Sequence, residues 1–134
     1  MILVDTSLWI EVLRGRDNVA TGRLRAAIAE DPAAIATTEP IVMELLAGAP
    51  DLRALDQISA LVASMPLLPI DAARDFANGA ALFRTARSSG LTVRSLMDCL
   101  IAAIAVRHAA TLWHRDADYL AISSVAPLDS VDLR

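Results

Sequence analysis

The apolar positions of this chain fall into short unbroken runs and longer helical stripes, and the two kinds alternate. Ile2 to Val4 is apolar without alternation, the pattern of a strand buried on both faces. Asp5-Thr6-Ser7 then turns the chain into a helix with Trp9, Ile10 and Leu13 on its apolar face; Ser7 or Thr6 is placed to cap it and Gly15 to end it. From Asn18 to Glu30, Ala20, Leu24, Ala27 and Ile28 recur at helical spacing, and Pro32 follows the stop. Ala34 to Ala36 reads as a second strand. Thr37 and Thr38 are caps, Pro40 suits a first turn, and the helix through Ile41, Glu44 and Leu45 ends at Gly48. A further helix spans Leu52 to Ala63. Leu67 to Ile70, bounded by Pro66 and containing Pro69, reads as a third strand. Asp71 caps a long helix to Arg87, broken by Ser88-Ser89-Gly90, and Ser95 opens a very apolar one, Leu96 to His108. Thr111 to Trp113 is a fourth strand, Asp118 to Ser123 a short helix, and Ala126 to Leu128 a last edge strand.

Strands separated by helices predict an α/β fold, a parallel sheet covered by helices on both faces. Ligands in such sheets sit beyond the carboxyl ends of the strands. Asp5 closes the first strand and Asp116 follows the fourth, so two acids fall on that edge.

Composition sharpens this picture. The length of 134 residues predicts one domain, residues 1–134, able to bury a core without staples. Apolar residues make up 55% of the chain, above the roughly 45–50% of ordinary domains. The surplus predicts an apolar surface for a second subunit or another partner as well as a tight core. The single cysteine, Cys99, sits in an apolar run and reads as a buried filler. Met1 to Asp5 carries no basic leader, and no apolar run reaches the roughly 18 residues of a membrane span, so the expected location is cytoplasmic.

Net charge is −4, which argues against broad coating of nucleic acid. The deficit equals four carboxylates, and a bound divalent cation would offset it locally. Every basic residue is arginine. The absence of lysine excludes Walker-type, Schiff-base and kinase-type chemistry, while arginine remains suited to gripping phosphates.

Four acids stand out. Asp5 directly follows an apolar strand; it is placed either to cap the next helix or to ligate a metal. Glu44 interrupts the run Ile41-Val42-Met43-Glu44-Leu45-Leu46, where a charge must face water, pair or bind metal. Asp98 is the only charged residue from Leu96 to Val106, in a helix apolar on nearly all sides; Ser95 three residues earlier also matches a capping box. Asp116 lies just past a strand in His114-Arg115-Asp116-Ala117-Asp118-Tyr119, with Asp118 as a helix cap, a second ligand or an outer partner. Hard cations such as Mg²⁺ or Mn²⁺ take oxygen ligands and leave room for water and phosphate, which is the chemistry of a nuclease or phosphatase site.

These segments together resemble the PIN-domain ribonucleases, most closely the VapC toxins of bacterial toxin–antitoxin pairs. Ile2-Leu3-Val4-Asp5-Thr6-Ser7-Leu8-Trp9-Ile10 is similar to the family's first strand and first acid. Met43-Glu44-Leu45-Leu46-Ala47-Gly48 is similar to the second acidic motif, Ser95-Leu96-Met97-Asp98-Cys99-Leu100-Ile101-Ala102 to the third, and His114 to Tyr119 to the fourth. The resemblance spans nearly the whole chain in the family's order, although His114 stands where many relatives carry Thr, Ser or Asn. It implies a three-layer, PIN-like fold on a five-stranded parallel sheet, with Asp5, Glu44, Asp98 and Asp116 gathered around Mg²⁺ or Mn²⁺ and Thr6, Ser7 and Asp118 in support. It also implies endonucleolytic cleavage of transfer or ribosomal RNA, a homodimer, and inhibition by a VapB-type antitoxin whose tail blocks the cleft.

Two other functions share acids at sheet ends. An aspartate-dependent phosphotransfer or receiver domain would want a lysine, which is missing; a PIN-fold binding module would have lost activity. His108, His114 and Cys99 lack zinc spacing, and no G-x-S-x-G, G-x-G-x-x-G or Walker motif occurs. Arg84, Arg87 and Arg94 flank the break at Gly90 and are read as contacts to an RNA backbone, or as a solvated helix face.

Overall fold

The computed structural model describes residues 1–134. Ile2–Val4 forms β1, Ile35–Ala36 β2, Thr111–His114 β3 and Ser130–Asp132 β4, all parallel in the order β2-β1-β3-β4. The helices are α1 (Thr6–Leu13), α2 (Val19–Glu30), α3 (Glu39–Ala47), α4 (Leu52–Ser64), α5 (Asp75–Ser88), α6 (Leu96–Arg107) and α7 (Asp118–Ser123). Leu3, Val4, Ile35, Ala36 and Leu112 are buried in the sheet among Leu8, Trp9, Ile41, Ile101 and Ile122 from the helices, which is why the central strands are apolar without alternation.

The expected five-stranded sheet has four strands. At the position of the third expected strand, Leu67 makes one bridge to Thr37, through Thr37 N to Pro66 O (3.0 Å) and Leu68 N to Thr37 O (2.8 Å). Pro66 and Pro69 have no N–H to extend the ladder, so pairing stops there. The last strand lies four residues later than expected. Ala126–Leu128 is irregular, with Leu128 buried in the core; the ladder is made instead by Leu112 N to Asp129 O and Leu133 N to His114 O.

Helix starts also differ in detail. Asp5, rather than Thr6 or Ser7, caps α1. Thr38 stands at the cap of α3 but makes no side-chain bond there. The regular part of α5 begins at Asp75 rather than after Asp71, because the buried Asp75 carboxylate accepts the Asp71 N–H at 2.7 Å and a forked pair from Arg107 at 2.8 and 2.7 Å. α5 and α6 pack closely at Gly79, where a Cβ would stand 3.2 Å from the Leu100 backbone. This packing sets α5 against the α6 backbone at Cys99 and Leu100.

Candidate metal centre

The carboxyl ends of β1 and β3 present the acids. The peptide N–H of Asp5 bonds to Trp113 O (2.9 Å), which places its side chain beside the turn that follows β3. Its Oδ2 accepts the Ser7 N–H at 2.9 Å and the Ser7 hydroxyl at 2.5 Å, and Ser7 Oγ in turn accepts the Arg115 N–H at 2.9 Å. The capping reading of Asp5 is the one seen: Oδ2 caps α1, and Oδ1 is directed away from the helix. Ser7 links the two strand ends. Thr6 donates its hydroxyl to Glu44 Oε1 at 3.1 Å and so tethers α3 to α1.

Asp98 occupies the third position of α6. Its N–H bonds to the Ser95 hydroxyl at 3.4 Å, one half of the expected capping box. The other half is missing, because Asp118 Oδ2 takes the N–H groups of both Ser95 and Arg94 at 3.0 Å. The Asp98 carboxylate is thereby released from capping. It is buried, forms no ion pair, and has the Tyr119 hydroxyl, whose proton goes to Asp5, 3.4 Å away. Burial first, then the negative charge of Asp5 and the neighbouring Asp118 and Asp116, pushes its carboxyl up to about 8. Burial, with Asp5 nearby, also raises Glu44, against the lowering effect of the Thr6 hydrogen bond.

Oxygens of Asp98, Asp116 and Asp118 all lie within 4.8 Å of one another. Asp5 is tied to this group through the Tyr119 hydroxyl, 2.7 Å from Asp5 Oδ1. Glu44 stands outside the group and borders it through Thr6 and the charge of Asp5. Three close acids, one buried without a counter-ion, would be costly as they stand. An oxygen-ligated divalent cation removes that cost, so this donor set fits Mg²⁺ or Mn²⁺.

The structure also shows what sequence reasoning missed. Tyr119 was read only as part of a motif, yet its buried hydroxyl reaches two of the acids. Arg94, read as a contact to RNA, is committed to the site: Nη2 lies 3.2 Å from Asp116 Oδ1 and Nε 3.2 Å from Asp118 Oδ1. Arg87 lies over the Phe83 ring and Arg84 is exposed. His114 is fully buried, and burial holds it below its usual pKa; its Nδ1 accepts the Asp116 N–H at 3.3 Å. The sequence signal for Arg94 was its place one residue before the cap of the most apolar helix. Beside Glu44, a groove of about 410 Å³ runs between α1, α3 and α4, lined by Ile10, Leu13, Leu45, Ile58, Arg14 and Gln57. No helix is long and apolar enough to cross a membrane.

Residues 2–125 match the PIN domain family. The chain is 44% identical to ribonuclease VapC11 of Mycobacterium tuberculosis over 134 residues, the full length of both. Its fold matches the DNA-bound VapBC structure from Salmonella typhimurium, with a TM-score of 0.79 at 16% identity over 98% of this chain and 96% of that one. It also matches FitAcB from Neisseria gonorrhoeae, with a TM-score of 0.73 at 26% identity over 98% of this chain and 97% of that one. A family match over residues 2–125 and a full-length relative at this identity establish that the chain belongs to the PIN-domain family, among its VapC ribonucleases.

Proposed function

We propose that this chain, acting as one domain, is a metal-dependent endoribonuclease and the toxin of a VapBC-type toxin–antitoxin pair. The observation that carries the reading is the group Asp98, Asp116 and Asp118, whose oxygens lie within 4.8 Å of one another while Asp98 is buried with no basic side chain paired to it. Full-length similarity to a ribonuclease supports RNA as substrate; transfer or ribosomal RNA is the proposed target. The likeness to VapBC complexes supports a VapB-type antitoxin as partner. An acidic cleft beside an apolar groove suits a partner segment with apolar residues and an Arg- or Lys-bearing tail. A homodimer and a cytoplasmic location complete the proposal.

Asp5, Asp98 and Asp116 would hold Mg²⁺ or Mn²⁺, with Glu44 as the fourth acid. Asp116 is favoured over Asp118 as ligand, because Asp118 is engaged by the Arg94 side chain and by the backbone N–H groups that open α6, whereas Asp116 Oδ2 has no protein partner. When bound, such an ion supplies Lewis acidity, activates water near neutral pH and stabilises a leaving oxygen. The protein's part is placement. Ser7 fixes one oxygen of Asp5, Thr6 orients Glu44, and Asp118 closes the start of α6 so that Asp98 is free. Arg94, exposed and held on two carboxylates, keeps donors available for a phosphate at the rim.

The test is cleavage of RNA by the purified chain with Mg²⁺, Mn²⁺ or EDTA. Internal cuts with either ion and none in EDTA are expected. Cleavage indifferent to EDTA would overturn the metal assignment, and no cleavage under any condition would favour a binding module. Uptake of phosphate from a small phosphodonor would favour a receiver-like domain.

A further inference from the structure

Tyr119 is the only tyrosine of the chain, and its side chain is fully buried on α7. A buried hydroxyl needs partners, and a phenylalanine would fill the same space without that demand. The partners of this hydroxyl are two acids of the metal centre and nothing else: it donates to Asp5 Oδ1 at 2.7 Å and lies 3.4 Å from Asp98 Oδ1. Asp5 comes from the end of β1 and Asp98 from the first turn of α6. No other side chain bonds to both. The tyrosine ring is itself held by burial and by His114, with ring centroids 4.9 Å apart.

We infer that Tyr119 is a positioning residue whose hydroxyl holds Asp5 and Asp98 at the spacing needed to ligate one divalent cation. The inference rests on the metal-dependent reading above. Two carboxylates brought together in a buried site repel, and each could turn away about its own side-chain bonds. A hydroxyl wedged between them, donating its one proton to Asp5 and standing against Asp98 Oδ1, opposes that turn. It occupies Oδ1 of Asp5, while Ser7 occupies Oδ2, so the plane of that carboxylate is fixed from both sides. Partners of this kind around ligating groups are worth on the order of 10- to 100-fold in metal affinity.

The test is Tyr119→Phe in the full-length chain, with Mn²⁺ binding followed by calorimetry. Affinity should fall about 10- to 100-fold. KM for RNA should be unchanged, and kcat should fall at limiting Mn²⁺ and recover at saturating Mn²⁺. Ile122→Val, a packing change on the same buried helix, should leave Mn²⁺ affinity at the wild-type value. Wild-type affinity in Tyr119→Phe would overturn the inference, as would an equal loss in Ile122→Val. If Tyr119→Phe does not fold, fluorotyrosine incorporation labels this one position in the native chain. Its single fluorine resonance should move during a Mg²⁺ titration, and a resonance that stays still would overturn the inference. A Tyr119→Phe variant that loses Mn²⁺ affinity, in a protein that never cuts RNA, would sustain the role of Tyr119 and defeat the nuclease reading.

Discussion

Replacing Asp98 by asparagine should make the metal-free protein more stable and the metal-loaded protein inactive, and the two effects share one cause. In the absence of a cation the Asp98 carboxyl is pushed from 3.8 up to about 8, chiefly by burial. A carboxyl raised on folding favours the folded state least when it must be charged. Its cost is absent below about pH 4, grows as pH rises toward 8, and is level above that. At about 1.4 kcal/mol per tenfold in proton affinity, the interval up to pH 7 gives an upper bound of roughly 4 kcal/mol. Asp98 borders a cleft that solvent enters, so roughly 1–3 kcal/mol is the expected gain for Asp98→Asn, a few degrees in Tm for a chain of this size. Thermal unfolding in EDTA from pH 5 to 9 measures it. The difference between variant and wild type should widen as pH rises and flatten near pH 8. Adding Mn²⁺ should reverse the order, because binding to wild type requires the charged carboxylate and releases its proton. A variant less stable than wild type in EDTA, or a pH-independent difference, would refute the reasoning. So would RNA cleavage at the wild-type rate.

Other expectations concern the frame around the site. Arg107→Ala should cost about 3–5 kcal/mol in urea unfolding, because it leaves the buried Asp75 carboxylate unpaired. Hydrogen bonds from Arg107 hold Asp75 below the usual carboxylate range, so their contribution is present above about pH 4 and is lost as pH falls through the lowered folded value; acid titration of Arg107→Ala against wild type should show that contribution missing. Gly79→Ala should lose about 1–3 kcal/mol in the same urea assay, since its Cβ would press on the Leu100 backbone at 3.2 Å. Arg94→Ala should raise KM for RNA and flatten its dependence on salt, measured by cleavage rates over a range of NaCl.

How far the chain could be read before folding depended on whether a residue's role was local. β1, β3 and the very apolar α6 were legible because burial on both faces writes itself into consecutive residues. β4 was not. An edge strand needs a partner on one side only, so Ser130–Asp132 can be partly polar, whereas the more apolar Ala126–Leu128 serves the core without entering the sheet. Asp5 and Asp98 were legible for the opposite reason: a charge in apolar company must be explained. Asp118 and Tyr119 carried no such mark, because an acid at a helix start and an aromatic in a helix face are ordinary. Their importance lies in what they meet, and those partners come from β1, α6 and the segment just before it. The capping box shows the consequence. From Ser95 and Asp98 alone, the motif seemed complete within one helix, and Asp98 could have been spent on its own N-terminus. Asp118 closes that turn from another element, and the carboxylate left over is the one that faces the other acids. A cluster of acids of this kind is specified by which residue is relieved of a structural task, and that depends on a second segment arriving at the same place.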